Sequence, residues 1–145
     1  MAQPAPITNH PSFGFWGDAG MGNWHPYVGI VFCQDDSVYG DPAGREWRMG
    51  QQIACLQRAQ GYGIKRSIVS IGYLLFNSQF IYQGASETGR FCRQLAVQGI
   101  TPTALYLLDE PDIHGVSDAT MRQAAADVRV ACPGPKLAAV YGSGN

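Results

Sequence analysis

Short apolar runs alternate along this chain with stretches of helical period. Runs at 12–16, 27–33, 64–71, 103–108 and 137–141 read as five strands, each bounded by Gly, Pro or acidic residues. Ala104, Leu105, Tyr106, Leu107 and Leu108 form an unbroken apolar run, which suits a strand buried on both faces, as in a parallel sheet. Between the runs, Met49, Ile53 and Leu56 stand at i, i+4, i+7, while Arg48, Gln51, Gln52 and Arg58 take the other side. Phe91, Cys92, Leu95 and Ala96 give a second stripe, with Ser86 as N-cap, Glu87 in the first turn and Gly99 as the stop. Ser117 and Asp118 cap a third helix with the stripe Met121, Ala124, Ala125, Val128 and Cys132, ended by Pro133, Gly134 and Pro135. Residues 73–85 read as an irregular aromatic loop over one end of the sheet.

This alternation predicts an α/β fold of parallel β/α units with right-handed crossovers. Two architectures satisfy it. One is partial and TIM-barrel-like, since a whole (β/α)8 barrel needs about 250 residues. The alternative is a five-stranded doubly wound sheet, which 145 residues can complete. The last strand has no helix after it, which favours the partial barrel. The first two strands are joined by only about ten residues, barely enough for a helical crossover. The first run therefore reads as an entry hairpin or as a barrel strand with a degenerate helix. Residues 1–11 read as a flexible arm and 12–145 as a single β/α domain, an incomplete barrel. The exposed C-terminal strand predicts a homo-oligomer or a completing chain.

Composition narrows the function classes. At 46% hydrophobic and 14% charged residues the chain is globular rather than disordered. A net charge of -1 gives no support for nucleic acid or an anionic membrane as partner. No apolar run reaches the ~20 residues that span a bilayer. No signal peptide opens the chain, so it reads as soluble and of unassigned compartment; a secreted origin would need a signal peptide outside this sequence. Cys33, Cys55, Cys92 and Cys132 lack metal-site spacing, and the leading reading is four buried thiols. The alternative is disulfides in an oxidising compartment, with three connectivities open.

Candidate chemistry gathers after the fourth strand, at Asp109, Glu110, Pro111, Asp112 and His114. A carboxyl raised by like charge and partial burial is suited to general acid work, and Glu110 is placed for it. The plainer reading has one carboxylate capping the turn and one solvated, with Pro111 fixing the strand exit. Contiguous Asp109, Glu110, Asp112 and His114 match no standard metal loop, so no metal or cofactor is assigned. No glycine-rich phosphate loop and no G-x-S-x-G elbow is present. Other strand ends bring Trp16, Asp18, Asp35, Asp36, Tyr73 and Tyr141. With Asp112 and His114 these make an aromatic and acidic rim for a carbohydrate or other small polar ligand.

Leu107-Leu108-Asp109-Glu110-Pro111 resembles the fourth-strand Asn-Glu-Pro signature of the glycoside hydrolase-like (β/α)8 barrel superfamily. The resemblance implies that Glu110 is the general acid/base and Asp109, in place of Asn, the neighbour that orients the sugar 2-hydroxyl. The nucleophilic Glu of that superfamily sits on the seventh strand, and this sequence carries five. Three function readings follow: a glycoside hydrolase-like domain, a non-catalytic carbohydrate- or protein-binding module, and a self-contained doubly wound small-ligand domain.

Overall fold

The computed structural model describes residues 14–16, 29–33 and 41–142. The N-terminal arm expected at 1–11 lies outside them. Among the described residues five strands form one sheet: β1 (Gly14–Trp16), β2 (Ile30–Cys33), β3 (Arg66–Ser70), β4 (Ala104–Asp109) and β5 (Lys136–Val140). The helices are α1 (Pro42–Gly61) after β2, α2 (Gly72–Leu75) and α3 (Ser86–Val97) after β3, and α4 (Asp118–Ala131) after β4. All neighbouring strands pair in parallel and in sequence order, β1-β2-β3-β4-β5. The parallel pairing of β1 with β2 corrects the entry-hairpin expectation. The strand order never reverses. A doubly wound sheet binds its ligand where the order reverses, and the five described strands have no such switch point.

α1 and α4 start where a side chain satisfies free N–H groups of the first turn. Asp41 accepts from the backbone of Ala43 and Gly44, both at 3.1 Å, and Pro42 follows it at the first helical position. This cap begins α1 well ahead of Met49, where its apolar stripe starts. Ser117 caps α4 by accepting from Thr120 N at 3.1 Å, as expected. Ser86 does not cap α3: it is already helical, and the cap position is Ala85, which has no side-chain acceptor. Glu87 in that first turn instead meets Arg90, which also reaches Glu46 and so ties α3 to α1.

The core lies between the helices and one face of the sheet. Val31, Cys33, Val69, Leu105 and Leu107 meet Met49, Leu56, Phe91, Leu95, Met121, Ala124 and Val128 there. The buried side of α1 also takes in Arg48 and Gln52, which the helical period puts outside. Gln52 is buried because its amide has partners. It donates to Ser70 O at 2.6 Å and Cys33 O at 3.4 Å, and accepts from the Tyr73 hydroxyl at 2.7 Å. A satisfied buried amide costs little, whereas an unsatisfied one costs ~1–3 kcal/mol.

The four cysteines are not free thiols. Cys33–Cys55 joins the end of β2 to α1, and Cys92–Cys132 joins α3 to the end of α4. Closing loops of 22 and 40 residues restricts the unfolded chain by about 3–4 kcal/mol each in the chain-entropy model.

The other face of the sheet has a separate cluster. Phe32 and Tyr106 are buried but stay out of the main core, and meet edge to face at 5.3 Å. Among the described residues no helix belongs to this cluster. No helix of the described residues is long and apolar enough to cross a membrane.

Candidate functional site at the C-terminal end of the sheet

Because the strands are parallel, β2, β3, β4 and β5 all finish at one end, and the β4 exit turn sits there. The pairing of β4 with β5 shifts between Tyr106 and Asp109: Tyr106 faces Ala138, and Asp109 faces Val140. Three residues on β4 are thus matched by two on β5. In a regular strand residues i and i+3 point to opposite faces. The shift puts Tyr106 and Asp109 on the same face, and the Tyr106 hydroxyl donates to Asp109 Oδ1 at 2.6 Å.

Burial pushes the Tyr106 phenol well above its usual range, helped by the bond to Asp109 and by the charges of Asp109 and Glu110; the Val140 backbone opposes this. The phenol therefore stays protonated across the physiological range and remains a donor to Asp109. Asp109 is exposed and half of its acceptor capacity is oriented by that bond.

Glu110 has φ +44, a left-handed conformation that costs a residue with a Cβ about 1–2 kcal/mol. Its backbone is held on both sides. Its N–H donates to Val140 O at 2.8 Å, and its carbonyl accepts from Ile113 N at 3.0 Å and His114 N at 3.2 Å. Pro111 is buried and accepts from Val116 N at 2.8 Å. Asp112 Oδ1 accepts from Gly142 N at 3.0 Å, tying the turn to the exit of β5. A Cβ on Gly142 would fall 2.8 Å from Ile113 Cδ1, so the two exits approach closely and the exposed Ile113 side chain would have to move aside for a larger residue.

His114 stacks on Phe80, with ring centroids 3.8 Å apart and planes 11° apart. Phe80 sits in the loop after α2 and is, among the described residues, the other non-glycine residue with positive φ, at +56. Asn77 shapes that loop by accepting from Gln79 N and Ile81 N at its side-chain oxygen. The expected loop over the sheet end is therefore real from Phe76 onward, while 72–75 forms the short helix α2 instead.

The candidate residues divide accordingly. Asp109, Glu110, Asp112 and His114 come together in the β4 exit, with Tyr141 exposed beside them after β5. Tyr73 does not line the rim: it is buried, and its hydroxyl bonds Gln52. Trp16 ends β1 in register with Phe32. Asp18, Asp35 and Asp36 lie outside the described residues. Among the described residues no three of His, Cys, Asp and Glu are placed to hold a metal ion. Tyr106 and Phe80 are participants that the pattern of the sequence does not reveal. Tyr106 reads as one apolar position of a buried strand, and nothing in the sequence marks the register shift that aims it at Asp109.

No protein family, curated protein or solved structure matches the chain.

Proposed function

We propose that the domain handles a carbohydrate at the C-terminal end of its sheet, with Glu110 as general acid/base and Asp109 as the neighbour that orients the sugar. The observation that carries this reading is the geometry of Glu110 itself. A non-glycine residue is kept in a costly conformation, at the strand end where α/β folds collect their ligands, next to a carboxylate aligned by a buried phenol. In the proposed step the Glu110 carboxyl gives its proton to the glycosidic oxygen as the bond from that oxygen to the anomeric carbon breaks. The carbon is then met by a water or by a second carboxylate.

The binding-module reading is favoured by a different observation. Asp109 and Asp112 each already have one oxygen engaged, by the Tyr106 hydroxyl and by Gly142 N, and the described exit of β5 supplies no further carboxylate. The variant Glu110→Gln separates the two. Under the enzymatic reading it strongly slows hydrolysis of glycosides with poor leaving groups, such as alkyl glycosides, and keeps sugar binding. Wild-type protein that binds sugars without hydrolysing any glycoside supports the binding module, and unchanged turnover of an alkyl glycoside in the variant removes Glu110 from the acid/base role.

A further inference from the structure

The groove between α4 and the edge strand β5 carries an inference independent of the proposed site. Along α4, Tyr82 binds Asp127 and Gly89 approaches Ala131, so the 127/131 flank faces α3 and its preceding loop. Arg122, Ala125 and Arg129 stand at i, i+3, i+7 and occupy the opposite flank. There they border a cleft of about 230 Å³ floored by Leu107, Met121, Leu137 and Ala139, with Tyr141 at one end. Among the described residues β5 pairs with β4 alone, so the cleft opens beside the edge strand of the described sheet. Arg122 and Arg129 have no hydrogen-bond or ion-pair partner among the described residues, and Lys136 at the start of β5 adds a third exposed cation.

An apolar floor with cations two turns apart on its rim calls for one kind of occupant. We infer that this groove receives an amphipathic helix whose apolar stripe is flanked by carboxylates two turns apart. Such a helix would lie on β5 beside α4, as α3 already lies beside α4 on the other flank. A second copy of this chain fits poorly by charge. α1 carries Arg45, Arg48 and Arg58 against Glu46, and α3 carries Arg90 and Arg93 against Glu87. α4 itself has Asp118 and Asp127, nine residues apart and the latter bound by Tyr82, so none of the described helices offers carboxylates two turns apart to the arginines.

The test uses two synthetic helical peptides with the same Leu/Ala stripe, one flanked by Glu at i and i+7 and one by Lys. Titrated into the intact protein, the Glu peptide binds about tenfold more tightly, the size expected when two exposed ion pairs replace two like-charge contacts. Arg122→Glu combined with Arg129→Glu reverses that preference, and both sites are exposed, so circular dichroism should be unchanged. Ala125→Glu, which places a carboxylate on the groove wall, weakens the Glu peptide as well. Equal affinity for the two peptides, absence of binding up to millimolar concentration, or a protein dimer that protects β5 from hydrogen exchange without peptide would each overturn the inference.

Discussion

Two regions meet along β4, and they are held by different physics. The helix-covered face is packed: Leu105, Phe91, Ala124 and Val128 are fully buried, and both disulfides brace the elements around it. The C-terminal end is held by hydrogen bonds to backbone, one ring stack and two residues in left-handed conformations. Burial gives the first region its free energy. The second spends part of it on keeping Glu110 and Phe80 where they are. The contrast teaches where substitutions should be felt as stability and where as function.

The largest effect belongs to the packed face. Phe91→Ala should lower unfolding free energy by about 3–5 kcal/mol, measured by denaturant titration under oxidising conditions. A loss under 1 kcal/mol would mean that the helix layer does not carry the stability. Replacing Cys92 and Cys132 together by Ser should cost about 2–4 kcal/mol. Reduction of the wild-type protein should produce a comparable loss at that bridge, and unchanged thermal unfolding after reduction would contradict the pairing.

Effects at the C-terminal end should be smaller. Tyr106→Phe removes the bond to Asp109 and should cost about 1 kcal/mol, with the larger consequence in sugar affinity. The same phenol makes a pH prediction. Burial and an adjacent carboxylate raise both Tyr106 and Tyr82 above the value they have in the unfolded chain. The unfolded state then releases these protons first, so stability is full at neutral pH and falls as pH rises beyond about 10. Tyr106→Phe should flatten that alkaline decline, and an identical decline in the variant would show that the phenol is not held as described.

The smallest stability change is a gain. Glu110→Gly relieves the left-handed backbone and should raise stability by about 0.5–1 kcal/mol, the relief exceeding the entropy glycine adds to the unfolded chain. Activity should be lost at the same time. A destabilised variant would mean that the Glu110 side chain supports the fold rather than a reaction.

Much of the packed region is legible in the sequence, because its signals are local and periodic. The stripe through Met121, Ala124 and Val128 and the run at 104–108 each announce their own burial. The cysteine pairing is not legible, since spacing alone leaves three connectivities and says nothing about which helices become neighbours. The burial of Gln52 is not legible for a related reason: the residue is polar, and its burial depends on carbonyls of two distant strands. At the C-terminal end the acidic cluster is visible, but its arrangement is not. The register shift in β4, the conformation of Phe80 and the burial of Tyr73 are products of tertiary contact that no residue type encodes by itself.

Leaving-group dependence tests the central claim most directly, because a general acid matters in proportion to how badly the departing oxygen needs a proton. Turnover of an alkyl glycoside and of a dinitrophenyl glycoside should be compared between wild type and Glu110→Gln. The account predicts a loss of about 10²–10⁴-fold on the alkyl substrate and a much smaller loss on the dinitrophenyl one. Equal losses on both substrates, or no loss on either, would contradict it.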